Sequence, residues 1–130
     1  GAFNNSLITD CFASSVGGFM VSTGGNLVLG NVTGLRLVSN VANGGFADLG
    51  KSGTGLIMEG CYVESCRAAV QAGGLKYAGS LCFVRDTVFV DCTAQIGGGM
   101  VAESDCTAET GYGQCTVQLS NVTFLRCESD

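Results

Sequence analysis

Apolar residues along this chain come in short runs, broken by glycine, asparagine, aspartate and serine rather than repeated at a helical spacing. Leu27-Val28-Leu29, Leu56-Ile57-Met58, Leu81-Cys82-Phe83 and Val117-Gln118-Leu119 each carry large apolar residues at i and i+2, the alternation that a half-buried strand needs. A second set opens directly after glycines: Phe19-Met20-Val21, Phe46-Ala47, Leu75 with Tyr77, and Met100-Val101. A third set places Ile8, Leu37, Val63, Phe89 and Phe124 three residues before Cys11, Asn40, Cys66, Cys92 and Cys127.

Taking those last five residues as anchors exposes a repeat. The residue before each anchor is polar: Asp10, Ser39, Ser65, Asp91 and Arg126. The residue two after is Ala13, Ala42, Ala68, Ala94 and Ser129, and a glycine pair then follows at Gly17-Gly18, Gly44-Gly45, Gly73-Gly74 and Gly97-Gly98-Gly99. The anchors are 29, 26, 26 and 35 residues apart. A period of that length with three short strands and no helix predicts an all-β solenoid, a right-handed parallel β-helix of about four coils. Coils would stack at about 4.8 Å, so that equivalent residues form columns. Ile8, Leu37, Val63, Phe89 and Phe124 are then the expected core stack, and the anchors a second inward ladder. Residues 61–72, with Tyr62, Cys66 and Val70 at i, i+4 and i+8, also fit an amphipathic helix, but a helix there would break the ladder on both sides. Residues 1–130 read as one solenoid segment, and residues 103–115 as a loop insertion that lengthens the last interval.

The chain resembles the repeats of the polymorphic outer-membrane protein family of surface proteins, whose pattern is Phe-x-x-Asn, Ala two residues on, then Gly-Gly-Ala-Ile. It departs from them in placing Cys where the family has Asn and in following the glycines with Phe, Leu or Met as often as with small residues. Phe89 to Met100 carries the pattern most fully, Leu37 to Phe46 keeps the Asn as Asn40, and Ile8 to Phe19 and Val63 to Leu75 match less completely. The chain reads as a cysteine-rich variant, with Cys at four of the five anchors. The resemblance implies an extracellular or surface-exposed β-helix acting in adhesion and surface architecture, without catalytic residues.

Composition narrows the chemistry. The apolar share is 46% and the charged share 13%, against a usual charged share of about 25%, which excludes a disordered chain. With no His, no Pro and no Trp, His-based triads, His metal sites and histidine switches are closed. A net charge of −5 from 6 basic and 11 acidic residues argues against a nucleic-acid partner. The uncharged stretch 11–35 is interrupted by six glycines and several Ser, Thr and Asn, so no membrane span is expected.

The eight cysteines suit an oxidising compartment. Cys106 and Cys115 would close the insertion as a local disulfide. Cys11, Cys61, Cys66, Cys82, Cys92 and Cys127 are further candidates of unassigned pairing, with Cys66–Cys92 or Cys92–Cys127 feasible between adjacent coils. Asn4, Asn31 and Asn121 each open an Asn-x-Ser/Thr sequon, which makes them candidate N-glycosylation sites, although Thr33 and Thr123 also suit ordinary strands. The cysteine spacings lack a C-x-x-C pair and argue against zinc. Gly44-Gly45-Phe46-Ala47-Asp48 comes near a calcium repeat but occurs once. The ten Thr do not recur at one coil position, as an ice-binding face would require. Arg85, Asp86 and Asp91 are the best cluster for a polysaccharide lyase or epimerase, yet Asp91 stands at the solvent-facing polar position.

No cofactor is expected. Both ends read as cut coils, and a bare coil leaves apolar core and strand edges uncovered. The expected partners are adjoining coils of the same protein or identical subunits stacked end to end, with glycans as a further candidate. The sequence therefore points to a non-catalytic extracellular structural or adhesive module of a cell-surface protein or filament. The alternative is a β-helix that binds or processes polysaccharides.

Overall fold

A computed structural model describes residues 2–14, 18–22, 26–40, 42–50, 55–79, 81–104 and 116–129. The expected Cys106–Cys115 pair and most of the insertion lie outside the described residues. Glu103 and Ser104, expected in that loop, instead extend a strand that runs Met100–Ser104.

Every described element is a β-strand, and every pairing is parallel. The strands occupy successive rungs of a β-solenoid. The first rung holds β1 (Ala2–Asn4), β2 (Leu7–Thr9), β3 (Phe12–Ala13) and β4 (Met20–Ser22). The second holds β5 (Asn26–Gly30), β6 (Thr33–Leu35), β7 (Val38–Ser39) and β8 (Ala47–Gly50). The third holds β9 (Gly55–Glu59), β10 (Tyr62–Glu64), β11 (Arg67–Ala68) and β12 (Leu75–Gly79). Next come β13 (Leu81–Val90), β14 (Thr93–Ala94) and β15 (Met100–Ser104), then β16 (Thr116–Leu125) and β17 (Glu128–Ser129). Residues 61–72 are thus strand, not helix.

The coil has one more short strand than the alternation predicts, because the anchor segment bends. Asp10, Arg36, Ser65, Asp91 and Arg126 have φ between 50° and 56°, a left-handed backbone that turns the chain between β2 and β3 and at the same place in every later rung. A second left-handed column lies one corner earlier, at Asn5, Asn31, Gly60, Asp86 and Asn121. In β13 and β16 the strand assignment runs straight through that earlier corner, which joins two faces into one sheet of eight strands.

The interior is a set of stacked columns. Leu29, Met58 and Val84 lie over one another, as do Leu27, Leu56 and Cys82, and all but Leu27 are fully buried. Val63, Phe89 and Phe124 form the expected apolar stack, with the Phe89 and Phe124 rings parallel at 5.1 Å. Phe3, Phe19 and Phe46 make a second aromatic run near the first rung, with centroids 5.5 and 5.6 Å apart. The buried Tyr77 hydroxyl is satisfied by the Leu81 backbone, donating to its carbonyl and accepting from its N–H.

Two registers differ from the sequence reading. In the second rung Gly34, not Leu37, lies between Ile8 and Val63, and Leu37, not Asn40, lies in the cysteine column. The cause is a side-chain substitution across the core. A Cβ on Gly34 would stand 2.7 and 2.9 Å from two ring atoms of Phe46 and 3.1 Å from Leu37 Cδ1, so Phe46 fills the space that the missing side chain leaves. Ser39, expected as the exposed polar residue, is buried, and Arg36 takes that position. In β13 the inward residues are Cys82 and Val84, while Leu81 is 39% exposed. A slip of one residue exchanges the faces of a strand.

Glycines form a column of their own. A Cβ on Gly18, Gly45, Gly73 or Gly98 would overlap a backbone oxygen of the adjacent rung. Only hydrogen fits there, which explains the glycine pairs after each anchor.

Candidate functional site

Two of the left-handed corners carry polar ladders that run the length of the described solenoid. At the first corner the residues are Asn, Asn, Gly, Asp and Asn, the types that enter this backbone region at least cost. Asn31 Nδ2 donates to Asn5 Oδ1 at 3.2 Å, and Asn121 Nδ2 donates to Asp86 Oδ1 at 2.7 Å. Gly60 leaves room in the middle of the run, since a Cβ there would meet Asn31 Oδ1 at 2.5 Å.

At the second corner the column reads Asp10, Arg36, Ser65, Asp91, Arg126, with charge alternating about a neutral centre. Arg36 donates from Nε and a terminal nitrogen to the two carboxylate oxygens of Asp10 at 2.6 and 2.8 Å. Arg126 holds Asp91 in the same way at 2.6 and 3.0 Å. These fork-to-fork pairs fix geometry as well as charge. The Arg36 guanidinium holds the Asp10 carboxyl down to about 2, and Arg126 likewise lowers Asp91. Beside the first corner, Arg85 pairs with Glu59 at 3.1 Å. Each of these three ion pairs joins adjacent rungs.

That arrangement separates the residues considered for catalysis. Arg85 is engaged by Glu59 and Asp86 by Asn121 at one corner, while Asp91 is engaged by Arg126 at the next. The strand between Asp86 and Asp91 keeps the two carboxylates roughly 15 Å apart at ordinary strand rise, too far to share a bond under attack. Among the described residues no group of three or more Cys, Asp or Glu is placed to hold a metal ion, and Asp48 of the glycine segment lies buried in β8. Thr33 stands in β6, Thr93 in β14, and Thr87 is fully buried, so they share no face. Three shallow cavities of about 340, 310 and 310 Å³ line the outer faces. Among the described residues Phe83 is the one aromatic that lines them, and no carboxylate does.

The cysteines stack but do not bond. Cys66, Cys92 and Cys127 follow one another in a column that continues through Leu37 to Cys11, whereas Cys61 lies beside Val32 and Thr87, and Cys82 beside Leu56. All six described cysteines are free thiols, so neither of the bridges feasible from the sequence, Cys66–Cys92 or Cys92–Cys127, is formed. In a parallel ladder neighbouring Cα–Cβ bonds point the same way, so Cβ atoms keep the rung spacing of about 4.8 Å, beyond the 3.5–4.5 Å that a disulfide uses. The thiols instead bond to backbone oxygens, Cys66 to Glu64 and Cys92 to Val90, both at 3.4 Å. Burial pushes the Cys82 thiol up to about 12. The Cys92 thiol is also raised, first by its hydrogen bond to Cys66 and then by burial.

Of the three sequon asparagines, Asn4 is exposed in β1, while Asn31 and Asn121 stand at the first corner with their Nδ2 atoms engaged as described. Their side chains have a structural use there.

The outer rungs present the remaining candidate surface. Leu119 and Phe124 belong to inward columns, and so does Val117 over Cys82, yet they are 48%, 43% and 42% exposed. Phe3 in the first rung is 38% exposed, with Ile8 and Cys11 half-buried beside it. The sequence reading had four of the five second-corner residues as a recurring polar position, with Ser39 in place of Arg36, and missed the first-corner ladder. The first corner's signal is an Asn, Asp or Gly three residues before Ile8, Val63, Phe89 and Phe124; in the second rung the residue three before Leu37 is Gly34, whereas the corner residue is Asn31.

No known protein family, curated protein or solved structure matches the chain.

Proposed function

We propose that this chain is a non-catalytic structural or adhesive β-solenoid module, acting at the cell surface or outside the cell. The observation that carries this reading is the pair of polar corner ladders, whose groups bond from rung to rung instead of converging on a common point. The cysteine-rich repeat likeness to surface β-helices, with the sequons, favours an extracellular setting. Carboxylate-free cavities favour a structural role over polysaccharide cleavage.

Two measurements test it. Antibody against the protein labels unpermeabilised cells that make it, and incubation with alginate or polygalacturonate releases no unsaturated sugar detectable by its ultraviolet absorbance, a general signature of lyase products. Labelling only after permeabilisation, or steady release of unsaturated sugar, overturns the reading.

A further inference from the structure

Every arginine but one is matched to an acid in a neighbouring rung. Arg36 holds Asp10, Arg85 holds Glu59 and Arg126 holds Asp91. Among the described residues Arg67 has no bonded carboxylate, and the cause lies in its column. It stands exposed on β11, opposite Val38 of β7 on one side and Thr93 of β14 on the other, and neither can take its charge. Glu128, the next residue of that column, is two rungs away, about 10 Å.

Arg67 lines the largest of the three outer cavities, about 340 Å³, together with Asn40, Ala69 and Gln95. The shape follows from the rungs. Asn40, Ala69 and Gln95 each come directly after a buried residue, Ser39, Ala68 and Ala94, so strand alternation turns all three outward in one column. Asn40 and Gln95 are exposed on the flanking rungs, and the small side chain of Ala69 between them leaves the space open. Arg67, two residues before Ala69 on the same outer face, borders that space from the adjoining column.

We infer that this cavity binds an acidic sugar, a unit of the uronic or sialic type, with its carboxylate on the Arg67 guanidinium and its hydroxyls on the Asn40 and Gln95 amides. A guanidinium is a fork of donors that meets a carboxylate with two parallel bonds, and no acidic residue lines the cavity to compete for it. Amide side chains both donate and accept, as sugar hydroxyls do. The side chain of an acidic peptide would bring only methylene groups to them. The volume lies at the lower end for ligand pockets, which suits one sugar unit. A net charge of −5 repels a long polyanion, so the acid belongs to single or terminal units of a glycan. The inference goes beyond the module reading and gives its adhesive side a ligand.

Arginine side-chain NMR reads the site directly, because the chain has four arginines and each gives one Nε–H signal. Glucuronate and N-acetylneuraminate are titrated as the free sugar acids, against glucose, acetate and triglutamate. The Arg67 signal shifts saturably with a sugar acid while those of Arg36, Arg85 and Arg126 stay in place, and the tighter of the two acids names the source. Acetate and triglutamate bind about tenfold more weakly, and glucose does not bind. Arg67→Gln, read from the Ala69 and Gln95 amide signals, weakens sugar-acid binding about tenfold with an unchanged β circular-dichroism signal. Ala69→Leu fills the space, leaves Arg67 in place and weakens binding as much. An Arg67 signal that neither sugar acid moves, glucose, acetate or triglutamate binding as tightly as the sugar acids, or undiminished binding by Arg67→Gln overturns the inference. Surface labelling and the absence of lyase products then still support the module reading, whereas labelling only after permeabilisation removes that reading and leaves the binding result standing.

Discussion

The two corners adopt the same left-handed backbone and solve it differently. At Asn5, Asn31, Gly60, Asp86 and Asn121 the residue types themselves favour the conformation, and bonds between rungs add to it. At Asp10, Arg36, Ser65, Asp91 and Arg126 three of five residues have no such preference, and ion pairs between rungs accompany the strain. A backbone bend can therefore be specified locally, by residue choice, or between rungs, by alternating charge. The second route depends on pH and salt through its two ion pairs.

The largest expected effect is at the first corner. Asn31→Val places a β-branched residue at positive φ and removes an amide from the ladder, so stability falls by about 2 kcal/mol, read as a lower urea midpoint with unchanged slope. The matching change at the second corner behaves otherwise. Arg36→Gly removes an exposed ion pair but relieves the left-handed strain, two small effects of opposite sign, and the urea midpoint stays within error of the parent. A drop as large as that of Asn31→Val would show that the corners are equivalent after all.

Acid sharpens the distinction next. The Asp10 carboxyl is lowered from 3.8 to about 2 in the fold, and Asp91 is lowered too. A depressed folded pKa stabilises above the unfolded value and loses that contribution as pH falls through the folded one. Stability measured by thermal melting therefore declines between about pH 4 and pH 2, and in Arg36→Gly that decline is smaller. Salt gives the smallest effect: about 1 M NaCl screens the exposed pairs, lowering the melting temperature of the parent slightly and that of an Arg36→Gly, Arg126→Gly double variant, which keeps the Arg85–Glu59 pair, by less.

Much of the architecture was legible because a solenoid writes its period into the sequence. The glycine column, the Val63–Phe89–Phe124 stack and the cysteine stack at Cys66, Cys92 and Cys127 follow directly from the repeat. The failures have local causes. Gly34 occupies a core position that an apolar pattern wants filled, since Phe46 supplies its volume from another face. That pulls the second rung three residues out of register, toward Leu37 and Asn40. The run Leu81-Cys82-Phe83-Val84 is apolar throughout, so alternation cannot say which pair faces inward. The thiol state escapes a sequence reading because adjacency in a ladder brings Cα atoms to bonding range while holding Cβ atoms parallel. The exposed apolar rung follows from the same repeat that defines the core.

The glycine column at Gly18, Gly45, Gly73 and Gly98 also bears on how such a chain can lengthen. Because its hydrogen atoms face carbonyl oxygens with no room for a methyl group, a duplicated segment is accepted only if it returns glycine to that spot, which means whole turns. The successive glycines stand 27, 28 and 25 residues apart, so the turns themselves differ in length, but a segment that puts any other residue at that spot sets a side chain against an oxygen. Genetic growth of this protein is in that sense quantised.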